Sequence, residues 1–312
     1  MGTTLGRILV IRGGAIGDFI LTLPVLAALR RQFPQSHLSV LGYPHIAQLA
    51  LAGGLADEVR STEAGPLAGF FARDGTLNAA LVEFFASFDI IISYLYDPDG
   101  IFRANVARCS KSQFIPGPHR PDEKAGLHAT DVFLQPLERL AIFGADSTPR
   151  LNLASHLSLS KPAEASAGTL ALHPGSGSER KNWPETKWAE LLDQLIRTTA
   201  MQLLIVTGEA EEERLARLIK PLPDSRIQLA RNVALSELAP RLAMCAGFVG
   251  HDSGITHLAA AVGLPVLVLW GDSAEAVWRP QGERVIILKD AKNLADLSVS
   301  EVLKQIAQLL RG

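Results

Sequence analysis

The chain has 312 residues, 47% hydrophobic and 20% charged, with 30 basic against 32 acidic side chains and a formal net charge of −2. That length suits two domains of ~150 residues each, and the charge balance excludes a general nucleic-acid binder, which carries a basic excess. Two distant cysteines, Cys109 and Cys245, give neither a disulfide framework nor a zinc spacing, and fit a reducing cytoplasm.

Residues 7–12 form a short apolar strand, followed by the glycine turn GGAIGD. Residues 19–33 have helical periodicity, closed by Pro34. Strands are expected at 38–41 and 89–93. Repetition of strand, turn and helix indicates a parallel sheet with helical crossovers, and so a doubly wound α/β domain. Residues 155–168 (SHLSLSKPAEASAG) are small and polar and read as a linker. A second unit starts with a strand at 169–172, the polar loop HPGSGSERKNWP and a helix at 185–199. A strand at 203–207, a glutamate-rich helix at 209–218, strands at 248–249 and 265–269, and a helix at 255–262 follow. The last helix, 298–310, is amphipathic, with Ser298 as N-cap. The longest apolar run, 259–270, is cut by Gly263 and Pro265 and is too short to span a bilayer. No signal-peptide pattern precedes the first strand.

Five segments could carry chemistry. In GGAIGD, glycines after a strand let a ligand approach the backbone, and a helix start offers free N–H groups. The spacing is not GxGxxG, so a dinucleotide fingerprint is not met. Asp18 is either a cap at that helix start or a carboxylate able to take a proton from an attacking hydroxyl. The loop at 173–184 combines small residues, hydroxyls and the Arg180–Lys181 pair, which suits a pyrophosphate at a strand end. In GHDSGITH, Asp252, Ser253 and His257 cluster at a strand-to-helix junction. A hydrolase triad fails there, because the chain has no GxSxG elbow. One carboxylate among Glu209, Glu211, Glu212 and Glu213 could accept from a ribose diol, the rest forming a solvated helix face. Asp97-Pro98-Asp99 could hold a metal on a diphosphate, but Pro-Asp-Gly is also an ordinary turn sequence.

Three stretches resemble the bacterial heptosyltransferases of glycosyltransferase family 9: ILVIRGGAIGDFILTLPVLAALRRQFP, HPGSGSERKNWPETKWAEL and GHDSGITHLAAAVGLPVLVLWGDS. HATDVFLQPLERLAIFGAD, residues 128–146, is similar to the helix that precedes the linker in that family. The resemblance implies a GT-B architecture: two Rossmann-like, doubly wound domains facing across a cleft. The first domain (1–155) would bind the acceptor and the second (169–312) an ADP-sugar, with a linker at about 156–168 and the last helix able to pack back on the first domain. It implies an inverting, metal-independent transfer with no cofactor, and Asp18 as base. It assigns Ser176, Gly177, Lys181, Glu209, Glu212, Asp252, Ser253, Gly254 and His257 to the donor, and Gly14, Gly17 and His128 to the acceptor side. The implied partners are ADP-heptose and a lipid-linked lipopolysaccharide inner-core acceptor, met from the cytoplasm at the inner-membrane surface. The family's Asp-x-Gln-Gly string is replaced by SYLYDPDGIFRANVARCS, which leaves the acceptor open. Another donor, a protein or other glycan acceptor, or a non-catalytic nucleotide-binding protein of the same fold also remain open.

Overall fold

The computed structural model describes residues 6–63, 65–153, 168–208, 212–290 and 293–311, apart from the side chains of Glu212, Glu213 and Leu215. The chain divides into two compact units, Met1–Thr148 and Pro149–Gly312. The first unit thus ends earlier than expected. Residues 149–153 belong with the second, where the Leu151 amide donates to the Ala261 carbonyl at 2.8 Å and both Leu151 and Leu153 are buried. The expected linker, except Gly168, and Glu209 lie outside the described residues.

In the first unit, β1 (Arg7–Arg12), β2 (His37–Gly42), β3 (Glu58–Ser61), β4 (Ile90–Ser93) and β5 (Gln113–Pro116) form one sheet. Its order is β3-β2-β1-β4-β5, and every pairing is parallel. The apolar runs of β1 and β4 are central because helices cover both faces of such a sheet. Leu9, Ile11 and Ile91 are packed against Phe70, Phe85 and Phe102 in one core. In the second unit, β6 (Thr169–His173), β7 (Gln202–Thr207), β8 (Ile227–Arg231), β9 (Gly247–His251), β10 (Val266–Leu269) and β11 (Val285–Leu288) form a parallel sheet of order β11-β10-β9-β6-β7-β8. Counted within the unit, this is the 3-2-1-4-5-6 order of a Rossmann fold. Each unit therefore has the doubly wound α/β fold expected.

Four strands escaped the sequence reading: β3, β5, β8 and β11. All four are sheet edges. Edge strands are buried on fewer sides, so EVRS, QFIP and IQLAR carry no continuous apolar signal.

The helix expected at 19–33 is two helices, Ile16–Ile20 and Leu23–Gln32. Pro24 explains the break. It has no N–H to donate to Ile20 and its ring crowds the preceding turn, but it is tolerated in the first turn of a new helix. The segment at 128–146 likewise gives only a short α-helix, Ala129–Leu134, before Pro136 converts it to a 3-10 turn over Gln135–Leu140.

The last helix, Val299–Leu309, starts at Ser298, whose hydroxyl accepts from the Glu301 amide at 3.2 Å. Val299, Val302, Ile306 and Leu309 enter the core of the second unit beside Leu191, Leu195 and Leu267. Its apolar face is thus engaged within the second unit. Among the described residues, no helix is long and apolar enough to cross a membrane.

Candidate active site

In an open parallel sheet, ligands bind beyond the carboxyl ends of the strands where the strand order reverses. In the first unit that point lies between β1 and β4, and in the second between β6 and β9. The GGAIGD turn leaves β1. The 173–184 loop leaves β6, and Asp252-Ser253-Gly254 leaves β9. Three of the segments singled out in the sequence therefore sit at switch points.

In the first unit the turn is held in one shape by three residues. Gly14 has φ +101°, a region that favours glycine. A Cβ there would stand 2.9 Å from Asp18 Oδ2. Asp18 is the third residue of its helix, not the N-cap, and its Oδ2 accepts from the Ala15 amide at 3.1 Å. Gly17 lies in the same short helix.

Arg12 ends β1 and lies beneath this turn, only 2% exposed. Its Nη1 donates to the His119 carbonyl at 2.9 Å and its Nη2 to the Asp18 carbonyl at 3.2 Å. The same Nη2 is 3.8 Å from Asp18 Oδ1. The Phe133 and Tyr94 rings lie 4.4 and 5.7 Å from the guanidinium carbon, an arrangement that favours a cation. Burial pulls the guanidinium below its ordinary pKa, while Asp18 and Tyr94 oppose that fall.

The Asp18 carbonyl is available because its helix ends at Ile20. The Thr22 amide turns to Phe19 O, as in a 3-10 turn, and the Asp18 carbonyl instead accepts from Arg12 and from the Thr22 hydroxyl at 2.8 Å. The Asp18 side chain remains 30% exposed. The arrangement is a solvent-facing carboxylate anchored from below by a buried cation.

His128, assigned to the acceptor side, is buried and caps the Ala129–Leu134 helix, its Nδ1 accepting from the Thr130 amide at 3.3 Å. Asp97 accepts from the Phe102 and Arg103 amides at 3.1 and 3.0 Å, so both of its oxygens cap the Ile101–Ala107 helix. The turn reading of Asp97-Pro98-Asp99 accounts for that geometry. Among the described residues, no group of three or more His, Cys, Asp or Glu side chains could hold a metal ion.

In the second unit Lys181 and Asp252 meet, Nζ to Oδ2 at 2.6 Å, across 71 positions of sequence. Lys181 is 30% exposed and Asp252 9%. Ser253 is the N-cap of the Gly254–Ala261 helix, its hydroxyl accepting from the Thr256 amide at 3.3 Å. His257 is buried one turn into that helix. Gly177 has φ +70°, and the Ser176 hydroxyl lies 2.9 Å from the Ser178 carbonyl and 2.7 Å from Asn182 Oδ1. Arg214, in the Glu212–Ile219 helix, pairs with Glu179 at 3.1 Å, and Arg217 pairs with Glu185 at 2.7 Å. That second contact holds the Glu185 carboxyl below the usual range. The glutamate-rich segment after β7 thus leads into a helix clamped to the loop; the Glu212 side chain lies outside what is described.

His251 holds this loop to the sheet. It is fully buried. Its Nε2 accepts from the Trp183 amide at 2.9 Å and lies 3.3 Å from Trp188 Nε1, while Nδ1 is 3.3 Å from the Gly175 carbonyl. The accepting Nε2 and the carbonyl at Nδ1 assign the proton to Nδ1. Burial pushes the imidazole pKa down to about 3, so the ring is neutral. Trp183 closes the loop, its indole N–H donating to the Leu297 carbonyl at 3.0 Å.

Sequence reasoning gave no role to Arg12 or His251. Both had a legible signal: each is a lone polar residue closing an apolar central strand, immediately before a glycine- or aspartate-bearing turn.

Residues 130–307, more than half of the chain, match the model of glycosyltransferase family 9 (heptosyltransferase). The chain is 26% identical over 159 residues to lipopolysaccharide heptosyltransferase 1 of Escherichia coli (strain K12), an alignment spanning 50% of this chain and 49% of that protein. It spans about half the length, or less, of the curated relatives it matches. Similarity of fold extends further. The glycosyl transferase family 9 structure from Veillonella parvula DSM 2008 superposes with a TM-score of 0.78 at 20% identity, covering 100% of this chain and 99% of that one. E. coli heptosyltransferase WaaC with ADP gives a TM-score of 0.75 at 19% identity, covering 97% and 99%. With its motifs at the switch points of two Rossmann-like sheets and this match across its second half, the chain belongs to glycosyltransferase family 9.

Proposed function

We propose that the protein transfers a heptose from ADP-heptose to a lipid-linked lipopolysaccharide inner-core acceptor by a single, inverting displacement. The observation that carries this reading is the Lys181–Asp252 pair at the β6/β9 switch point, on a loop fixed from beneath by His251. A diphosphate bound there meets a cation already held in position, and electrostatic help of this kind is commonly the largest catalytic contribution. The Gly254–Ala261 helix start adds backbone donors, and the Ser176 hydroxyl holds the loop's shape. Gly177, Ser253 and His257 shape the same end of the sheet, and Glu209 or Glu212 receives the ribose. Charge on the leaving ADP is met by Lys181 and backbone N–H groups, without a metal or cofactor. Asp18 takes the acceptor proton as the glycosidic bond forms, with Gly14, Gly17 and His128 shaping the acceptor side. The enzyme works from the cytoplasm, peripheral to the inner membrane.

The reading is tested by incubating the full chain with ADP-heptose and inner-core acceptors, following heptosylated product by mass spectrometry and its anomeric configuration by NMR. Binding of ADP but not UDP in calorimetry, with inverted product, is expected. UDP binding as tight as ADP, or no product with any inner-core acceptor, would overturn it.

A further inference from the structure

Beyond β4 and β5 the first unit holds a cavity of about 520 Å³, within the range of small-molecule sites. It opens beside the GGAIGD turn. Leu95, in its wall, would be 3.9 Å from a Cβ on Gly13, and the carbonyl of His119, also in its wall, accepts from Arg12. Arg12 therefore ties one wall of the cavity to the carbonyl of Asp18.

The lining is unusual for a surface site. Tyr96 is 68% exposed, a large aromatic left in solvent. Its ring is braced edge-on by His119, with centroids 4.6 Å apart and planes at 60°. Phe114 supplies a second ring. The ionised groups are Asp97, Asp99 and Arg103, one cation against two carboxylates, and Asp97 is committed to the helix amides. Such a cavity offers an aromatic face with a few polar atoms at its rim, and little attraction for an anion. A pyranose has the matching chemistry: an apolar C–H face that stacks on a ring, and hydroxyls around its edge that pair with a carboxylate or guanidinium.

We infer that this cavity is the acceptor's sugar subsite, that Tyr96 is its stacking platform, and that the sugar it takes is uncharged. The inference rests on the proposed transferase reading and specifies its acceptor. The accepting residue is then a neutral pyranose, supplied by an earlier glycosyl transfer rather than by attachment of a sugar acid.

The test is saturation-transfer NMR on the full chain with methyl α-D-mannopyranoside and methyl β-D-glucuronide as neutral and anionic probes, on wild type, Tyr96→Ala and Tyr96→Phe. The neutral probe is expected to receive saturation at its ring C–H protons, the Ala variant to weaken it roughly fivefold, and the Phe variant to retain it. The glucuronide should bind more weakly than the mannoside. No transfer to the mannoside at tens of millimolar, no change in Tyr96→Ala, or equal binding of the glucuronide would each overturn the inference. Probe binding needs neither donor nor Asp18. Failure here with heptose transfer intact removes only the subsite, whereas loss of transfer with probe binding intact removes the catalytic reading.

Discussion

The two switch points carry the same ingredients with opposite burial. Beyond β1, the cation Arg12 is 2% exposed and the carboxylate Asp18 is 30% exposed. Beyond β6 and β9, the carboxylate Asp252 is 9% exposed and the cation Lys181 is 30% exposed. One fold thus presents a negative group at one site and a positive group at the other by choosing which partner to bury. On the proposed reading the exposed carboxylate takes a proton and the exposed cation meets a diphosphate. The buried partner fixes the position of the exposed one.

The largest effect expected from breaking this contrast is at the exposed carboxylate. Asp18→Asn should lower the rate of transfer by roughly 10²–10⁴-fold while calorimetry finds ADP binding unchanged; equal turnover in the variant would remove Asp18 from the mechanism. Its buried partner should act on stability first. Arg12→Met leaves the Asp18 and His119 carbonyls without their guanidinium donor. A loss of about 2–3 kcal/mol in denaturant unfolding is expected, with Arg12→Lys recovering only part because a lysine cannot fork to two carbonyls. An unchanged midpoint in both would show the cation to be dispensable.

On the other side of the contrast, Lys181→Ala should weaken ADP binding by about 1.5–3 kcal/mol, the range for hydrogen bonds to charged groups. Part of that loss would come from the lone Asp252 carboxylate repelling the diphosphate. Lys181→Ala combined with Asp252→Asn should therefore bind ADP more tightly than Lys181→Ala alone, and the reverse order in calorimetry would contradict the pairing argument.

The pH dependence sharpens the comparison further, because the second unit's anchor is a neutral histidine. His251 titrates near 6.5 when unfolded and at about 3 when folded. Between those values the unfolded chain binds a proton that the native state does not, so stability falls as pH falls. From pH 7 to pH 5 this residue should cost about 2 kcal/mol. His251→Gln should flatten that part of the stability curve, measured by urea unfolding at each pH; an identical slope would refute the assignment. The smallest effect is expected at Asp97→Ala, where losing the helix cap should cost about 1 kcal/mol and leave ADP affinity untouched.

Much of this was legible in the sequence because the central strands are short, continuous apolar runs, and each is followed by a turn whose residues only a ligand or a tight backbone would require. ILVIR before GGAIGD and FVGH before DSG are examples. What stayed hidden was long-range. Lys181 and Asp252 are 71 positions apart, and only the adjacency of β6 and β9 brings them together. Arg12 was read as the end of β1, and His251 as part of the turn after a strand at 248–249, so both were passed over although a polar residue closing a buried run has to find a partner. The 19–33 helix was overextended because its apolar periodicity continues through Pro24, and periodicity is blind to a missing N–H.

The break at Leu21–Thr22 also sets the electrical character of the two sites. It leaves Asp18 on a helix of only 5 residues, too short for its aligned peptides to build much of a macrodipole, so little positive potential from that source reaches its carboxylate. The helix behind Ser253 runs 8 residues without interruption and directs a fuller positive pole towards the carboxyl end of the second sheet. A single proline thus lets one unit mute the field that the other unit keeps.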